Sequence, residues 1–322
     1  MIKYMKLRLD KYSQGTSGRH ETFFPRYGWL TKGYVKCAES PHVFNDNDAI
    51  EQLGVGKNMV RSIRFWCLLL GLLEEPSKDS DLGKGALSPG ALGIRLIGQF
   101  LPVENRVNTE TGWDPYLEDI SSLWLLHWQI FRQPFNAVSW PLAFNFCSLQ
   151  SFSQQELGAS IIDIAGDDAR LAAISPRSYE KDAACIIHMY TQSAKIGNEI
   201  RCPFNALGLI KSTPENSHFC FDVGKKNTLP PLIFLAACFS YAESLESSTQ
   251  TLSLNQIVYG ADSPGIAFKM TETECGRLLE QAVNTFGDVR FVEFAGTRQL
   301  HFDGKPLMLY WACLEQYYKE QR

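Results

Sequence analysis

The sequence has no long uninterrupted hydrophobic run. The first residues, MIKYMKLRLDKYSQG, have no continuous apolar stretch of the kind that a secretory signal peptide requires. No later segment approaches the ~18 consecutive apolar residues that a transmembrane helix needs. The two longest apolar stretches, 65–73 and 229–241, have the length of buried core helices. These absences predict a cytoplasmic protein that does not span a membrane.

Motifs for metals, nucleotides and organic cofactors are also absent. There is no H-E-x-x-H, no Cys/His ligand set, no Walker loop and no G-x-G-x-x-G. The Gly-Val-Gly-Lys stretch at 54–57 lacks the spacing and the Lys-Ser/Thr ending of a phosphate loop, so a turn between helices explains it better. None of the nine cysteines forms C-x-x-C, which predicts small buried side chains in a reducing compartment.

Positive charge is in short supply. The formal net charge is -4 and the pI is about 5.9, which argues against a protein that coats nucleic acid through its overall field. Any affinity for nucleic acid must come from a local basic patch. The composition, 45% hydrophobic and 20% charged, is that of a globular protein that folds unaided.

A chain of 322 residues is long for one ordinary core. We predict a mainly α fold with small β hairpins, divided into three parts. A segment with a helix-turn-helix unit spans 1–92, a mainly helical central domain spans 93–228, and a winged-helix-like domain spans 229–322. A homodimer is compatible with this organisation.

Residues 46–73 carry the pattern of a helix-turn-helix, with a short helix, a Gly-Val-Gly turn and a long second helix. The apolar residues of the second helix recur at spacings of three and four, which predicts a buried stripe of Val60, Ile63, Cys67 and Leu70. Another face carries Lys57, Asn58, Arg61 and Arg64. Because Arg and Asn pair with base edges and Lys with phosphate, this face predicts DNA contact in a major groove. The alternative is the solvated face of an ordinary helical pair.

The central part is predicted from helix caps and strand alternation. A helix begins near Asp119, Ser153 and Glu156 form a capping box ahead of another, and a third covers 179–190. Short apolar runs within 205–223 predict a hairpin.

The C-terminal part begins with a helix after Pro230 and Pro231. A short helix, an extended turn at 263–270, a longer helix from Thr271 and an alternating hairpin follow, which is the order of a winged-helix domain. Its longer helix carries Arg277 among three glutamates. We therefore predict a protein-docking or scaffold unit there, and only weak phosphate contact from the hairpin.

Clustered carboxylates at 110–119 suggest a metal site. The cluster consists of Glu110, Asp114, Glu118 and Asp119. A hard cation such as Mg²⁺ prefers oxygen ligands, and a nuclease uses such a cluster to activate water. The alternative is structural, since Asp119 can cap the following helix, Glu118 can favour its dipole and Asp114 can form the Asp-Pro turn.

A second polar group lies among aromatic residues near the N-terminus. His20, Glu21 and Arg26 offer a base, a carboxylate and a phosphate clamp. The alternative is an Arg-Glu pair that holds the N-terminal segment on the core. Lys181 and His188, seven residues apart, fall near one face of a later helix, although a lone His on an apolar helix is more often a core residue.

The chain resembles the SspB-type proteins of single-strand DNA phosphorothioation systems, a family otherwise catalogued as a domain of unknown function. The likeness spans nearly the whole chain and is carried by HETFFPRYGWLTKGY, LGVGKNMVRSIRFW, TGWDPYLEDISSLWLLHWQI, EKDAACIIHMY, CPFNALGLI and SPGIAFKM.

This resemblance implies a place in anti-phage defence and a DNA nicking activity that assists the exchange of a non-bridging phosphate oxygen for sulfur. It also implies partners: DNA, a cysteine desulfurase, an ATPase and an ATP-pyrophosphatase-like sulfurtransferase. The group of His20, Glu21 and Arg26 and the carboxylates at 110–119 fall in the resembling segments, with no motif that assigns their roles.

Three functions remain open from the sequence. The first is a Mg²⁺-dependent nickase, in keeping with the family. The second is a non-catalytic DNA-binding adaptor, favoured by the acidic pI and by the lack of a nuclease motif. The third is a transcriptional regulator of the same system, which predicts binding to an operator without cleavage.

Overall fold

The computed structural model describes residues 17–77, 80–192, 202–213, 218–245, 250–287, 289–294 and 296–321. Over these ranges the chain is mainly helical, with antiparallel strand pairs and a three-stranded sheet. The predicted fold class, mainly α with small β hairpins, is confirmed at this level. No helix in these ranges is long and apolar enough to span a bilayer.

The N-terminal part begins with three helices. They are α1 (Trp29–Glu39), α2 (Ala49–Leu53) and α3 (Lys57–Leu69). Gly54 ends α2 in the left-handed region with φ of 60°, which residues with a side chain rarely adopt. α1 approaches α3 closely at Gly33, where a Cβ would lie 2.5 Å from Ile63 Cγ2. The predicted short helix, turn and long helix are therefore present.

The apolar stripe of α3 faces the core as predicted, since Val60, Ile63, Cys67 and Leu70 are all buried. Two short strand pairs follow. The first joins β1 (Leu73–Glu74) to β2 (Ser88–Pro89), and after α4 (Ala91–Leu96) the second joins β3 (Gln99–Leu101) to β4 (Arg106–Asn108).

The central part is built around one fully buried helix. Its helices are α5 (Ile120–Gln129), α6 (Ser139–Phe146), α7 (Gln154–Ala165), α8 (Ala169–Ala172) and α9 (Pro176–Tyr190). All of 121–129 is buried, including the polar residues Ser121, Ser122, His127 and Gln129. The Asp119 cap and the Ser153–Glu156 capping box are both formed, as predicted.

A small hairpin closes this part. A 3₁₀ turn (Pro203–Leu207) leads into β5 (Ile210–Ser212), which pairs antiparallel with β6 (Phe219–Phe221). The hairpin predicted within 205–223 is confirmed.

The C-terminal part alternates helices with a three-stranded sheet. In chain order it contains α10 (Pro231–Ser244), β7 (Thr251–Ser253), α11 (Leu254–Tyr259), α12 (Pro264–Ala267), α13 (Glu272–Val283), β8 (Val289–Phe294), β9 (Thr297–Phe302) and α14 (Pro306–Glu320). The sheet is antiparallel with the order β7-β9-β8, so β9 is central. α14 packs along α10.

One local prediction was wrong. The extended turn expected at 263–270 contains the helical turn α12. Ser263 caps this turn, because its Oγ accepts the N–H of Ile266, and Pro264 has the backbone angle of a first helical residue.

The buried apolar residues form one contiguous core from Trp29 to Tyr318. All three predicted parts contribute to it, and the boundaries at 92/93 and 228/229 remain predictions. All nine cysteines are free thiols, and seven of them are buried.

A buried histidine in this core is hydrogen-bonded through both of its ring nitrogens. His127 is fully buried on α5, and its Nε2–H donates to the Ala267 carbonyl at 2.8 Å. Its Nδ1 therefore accepts from the Tyr190 hydroxyl at 2.7 Å. Burial lowers the pKa of His127 to about 4, although the Ala267 carbonyl acts in the opposite direction.

Candidate nucleic-acid interface

The polar face of α3 is open to solvent. Lys57, Asn58 and Arg61 are exposed, and Arg64 is partly buried. The helix begins after Gly56, which supplies no side-chain cap to the first backbone N–H groups. Such a helix end, with cations beside it, is suited to an anion. The structure therefore brings the four predicted DNA-contact residues together on one exposed face.

Arg61 and Arg64 also line a cleft of about 1000 Å³. Arg19 and Arg132 line the same cleft, so arginines from three separate chain segments meet there. Part of the lining is apolar, from residues such as Phe65 and Trp311. The volume matches pockets for small ligands, about 300–1,000 Å³, and is far too small to enclose a DNA duplex.

Three carboxylates partly balance the cleft arginines. Glu21, Glu74 and Glu75 line the cleft as well. Arg61 lies 3.6 Å from Glu21 and Arg64 lies 3.7 Å from Glu75, both longer than a hydrogen bond. The Glu75 side chain is 76% exposed, so its ion pair is held loosely. A phosphate that enters the cleft therefore competes with two loosely held ion pairs for Arg61 and Arg64.

Arg132 is held in place without a carboxylate. Its guanidinium donates to Gln129 Oε1 at 2.9 Å and lies over the Tyr310 ring at 5.3 Å. Both contacts leave N–H groups of the five-donor fork available to a ligand. Arg132 precedes the cis Gln133–Pro134 bond in the cleft wall.

The segment 17–24 contributes Arg19 and Glu21 to another wall of the cleft and is hydrogen-bonded to α9. Asp182 on α9 accepts from Ser17 Oγ at 2.7 Å, from the Gly18 N–H at 2.8 Å and from His20 Nε2 at 2.8 Å. Ser139 Oγ donates to Oδ2 of the same carboxylate, the oxygen that also accepts from Ser17. Four donors from two chain segments thus meet on one buried acceptor.

The candidate group of His20, Glu21 and Arg26 is not assembled into one site. His20 is fully buried against Trp66 and Trp140. Glu21 faces Arg61, while Arg26 lies over the rings of Phe23 and Trp29. The N-terminal segment is indeed fixed to the core, by the His20–Asp182 contact at 2.8 Å and by an Arg-Glu pair that involves Arg61 and not Arg26.

Ser139, Asp182 and His20 form a hydrogen-bonded chain, but in the wrong order for catalysis. The carboxylate lies in the middle and accepts from both neighbours. A nucleophilic serine needs the imidazole as its direct partner. All three side chains are buried, so this group is structural.

The carboxylates at 110–119 cap backbone groups. Asp114 accepts the N–H of Glu118 and the N–H of Asp119, each at 3.0 Å. Asp119 accepts the Ser121 N–H at 2.8 Å and the Tyr317 hydroxyl at 3.1 Å. The side chains of Glu110 and Glu118 are exposed. The contacts of Asp114 and Asp119 are therefore those of the structural alternative, in which the two carboxylates hold a turn and cap a helix.

Two arginines of the C-terminal part are already paired. Arg277 on α13 donates to Glu274 and Gln281, both at 2.8 Å. Arg298 on β9 pairs with Glu280 and lies over the Phe291 ring. This surface offers less to a phosphate than α3 does.

The comparisons with known proteins agree on one family. The family model described as a protein of unknown function, DUF4007, matches residues 18–318. The chain belongs to the DUF4007 family. A crystal structure of SspB is similar with a TM-score of 0.86 and 30% identity, covering 97% of this chain and 90% of that chain. Among the curated proteins, none matches.

A crystal structure of magnesium ion-bound SspB is similar to the same extent, with a TM-score of 0.86 and 31% identity over 97% of this chain and 90% of that one. The resemblance of this DUF4007 chain to the SspB-type proteins, drawn above from six sequence segments, is confirmed.

In this DUF4007 chain, the carboxylates that were predicted as magnesium ligands are not arranged to bind the ion. Asp114 and Asp119 use their oxygens on backbone N–H groups and a hydroxyl. Across the described residues, no three His, Cys, Asp or Glu side chains come together in a group that could hold a metal ion.

Two cleft arginines of this DUF4007 chain were not found from the sequence. Arg19 and Arg132 stand outside any motif, and only the folded chain brings them beside Arg61 and Arg64. Asp182 was not assigned a role from the sequence, because the charge of a helical residue does not show that it faces inward.

Proposed function

We propose that this chain is a DNA-binding component of a phosphorothioation system and that the face of α3 and the arginine cleft together bind the DNA backbone. The similarity to SspB supports involvement in such a system. The observation that carries the DNA-binding part is the convergence of Arg19, Arg61, Arg64 and Arg132 on one cleft.

Arginine suits this role because its planar fork donates two parallel hydrogen bonds to a phosphate. Arg61 and Arg64 are shared between the exposed face of α3 and the cleft. A backbone that contacts this face therefore reaches the cleft without a gap.

The elements around α3 support duplex contact at its N-terminal end. α2, the turn at Gly54 and α3 follow one another as in a helix-turn-helix, and β1 with β2 then forms a strand pair like a wing. In this proposal Lys57 and Asn58 enter a groove of the duplex. The cleft, too small for a duplex, takes one strand.

The element order α10, β7, α11, α13, β8 and β9 and the sheet order β7-β9-β8 support a second, winged-helix-like unit in the C-terminal part. Its third helix carries Arg277 paired with Glu274. We therefore assign it a scaffold or protein-docking role, toward the partner enzymes that the family implies.

The decisive experiment is DNA affinity as a function of salt for the whole chain and for Arg61→Ala with Arg64→Ala. Loss of two phosphate contacts lowers the slope of log K against log salt by about 2. The matched control is Arg106→Ala with Arg277→Ala, which removes two arginines that have carboxylate partners elsewhere. Equal slopes for both double variants would exclude the cleft.

A second candidate function is metal-dependent nicking, favoured by the magnesium-bound SspB structure. The test is conversion of supercoiled plasmid to open circle with Mg²⁺ or EDTA. The variants are Glu110→Ala with Glu118→Ala, and Asp114→Ala with Asp119→Ala. Metal-dependent nicking that is lost in the first pair assigns the chemistry to the exposed carboxylates. Absence of nicking by the clean protein assigns it the adaptor role.

A further inference from the structure

A second basic groove lies on α9, on the other side of the segment 17–24. It has a volume of about 450 Å³ and is lined by Thr22, Phe24, Arg177, Lys181 and His188, with Glu180 as an acidic member. Spacings of four and seven place the three basic side chains on one face of the helix. All three are exposed.

The basic side chains of this groove are exposed and available to an anion. Within the described part of the chain, Arg177, Lys181 and His188 form no ion pair. The His188 ring lies 6.2 Å from the Phe24 ring at 36°, so the two make an aromatic surface beside the cations. Cations next to an aromatic surface are the combination that binds single-stranded nucleic acid, through phosphates and stacked bases.

Only a thin wall separates this groove from the arginine cleft. Arg19 and Glu21 line the cleft, whereas Thr22 and Phe24 line the groove. Three residues from Arg19 to Thr22 span at most about 11 Å. That distance corresponds to about three base-pair steps of B-form DNA at about 3.4 Å of axial rise each, so one strand reaches both sites within a few nucleotides. Asp182 holds the wall rigidly through Ser17, Gly18 and His20.

We propose that the groove on α9 is a second phosphate-binding site, which continues the DNA strand from the arginine cleft across the segment 17–24. The inference rests on the proposed DNA-binding function and extends its footprint. Arg177 and Lys181 bind phosphates, and the surface of Phe24 and His188 supports a base. The strand crosses the wall at Glu21 and Thr22.

The test uses the whole chain and the variant Arg177→Ala with Lys181→Ala, titrated with a single-stranded oligonucleotide and with a duplex that has a single-stranded extension. Loss of two contacts lowers the salt slope by about 1.4 on single strands and weakens binding at 0.1 M salt by about tenfold or more. Hydroxyl-radical footprinting of the same complexes measures the protected length, which shortens at one end. A merely structural effect would weaken binding without shortening the footprint.

The matched control is Arg106→Ala with Lys319→Ala, since both residues are exposed, line neither cavity and lie outside the strand pair of β1 and β2. Lys181→Glu alone gives a second variant, expected to weaken binding more than Lys181→Ala. If all groove variants keep the salt slope and the footprint of the natural chain while Arg61→Ala with Arg64→Ala lowers the slope, the second site is overturned. The proposed role of the cleft then stands. Unchanged slopes in both sets overturn the proposed function itself.

Discussion

His20 and Asp182 are 162 positions apart in the sequence and share a buried hydrogen bond of 2.8 Å. The side chains are 0% and 1% exposed. The same carboxylate binds Ser17, Gly18 and Ser139. One residue of α9 thereby fixes the N-terminal segment against α6, and this contact positions the wall between the cleft and the groove.

Asp182→Ala is expected to destabilise the fold strongly, because it leaves buried donors without an acceptor. Each buried donor left without its acceptor costs about 1–3 kcal/mol. The measurement is the free energy of unfolding in urea at pH 7. The control is Asp163→Ala, which removes an exposed carboxylate from α7 and is expected to change stability by only about 0.5 kcal/mol. Similar losses in the two variants would contradict the anchoring role.

The buried His127 predicts a loss of stability in acid. Burial lowers its pKa in the folded chain from the ordinary 6.5 to about 4. Between these two values the unfolded chain binds more protons, so stability is complete above pH 6.5 and falls as the pH drops towards 4. The lost contribution is about 3 kcal/mol.

The measurement is unfolding free energy from pH 7.5 to pH 4.5 for the natural chain and for His127→Gln. Because the glutamine does not titrate, the difference between the two chains shrinks as the pH falls. A difference that stays constant over this range would show that His127 is not the titrating group.

Local features of the fold were predictable from the sequence, since they depend on neighbouring residues. The cap at Asp119, the capping box at Ser153 and the buried stripe of α3 follow from spacing alone. Clustered carboxylates, by contrast, have the same spacing whether they cap helices or bind metal. The hydrogen bonds of Asp114 and Asp119 distinguish the two only after folding.

Two of the four cleft arginines were predictable from the sequence, because their placement depends on local helical spacing. Arg61 and Arg64 repeat on one helix, and a helical pattern places them on one face. Arg132 reaches the cleft through tertiary packing on Tyr310, 178 positions along the chain, and has no local pattern. A residue whose partners are distant in sequence leaves no periodic signal.

Arg132→Ala is expected to weaken DNA binding and lower the salt slope by about 1, because it removes one phosphate contact from the cleft. Arg132→Lys keeps the charge but loses the planar fork, so it restores much of the slope and less of the affinity. The matched control is Arg95→Ala, since Arg95 lies over Trp311 of the same helix α14 but does not line the cleft. Equal effects of Arg95→Ala and Arg132→Ala on DNA binding would show that Arg132 acts through its packing on α14 and not through a phosphate contact.

Asp119→Ala is expected to lower the free energy of unfolding by about 1–2 kcal/mol, through loss of the α5 cap and of the bond from Tyr317. Glu118→Ala, which removes an exposed side chain, is the control and is expected to be nearly neutral. Both measurements are made in Mg²⁺ and in EDTA. The loss at Asp119 is expected to be equal in the two solutions, and a loss confined to Mg²⁺ would assign a metal to this carboxylate.

Lys57 and Asn58 are expected to contribute differently although they are adjacent and both exposed at the start of α3. An ammonium group binds phosphate as a point charge, so Lys57→Ala weakens all DNA sequences equally and lowers the salt slope by about 1. An amide pairs with a base edge, so Asn58→Ala leaves the slope unchanged and reduces discrimination at one base pair by about 1–3 kcal/mol. The measurement is competition among a library of duplexes at two salt concentrations. If Asn58→Ala changes the slope while the sequence preference stays the same, the N-terminal end of α3 contacts only the backbone and the helix does not read bases.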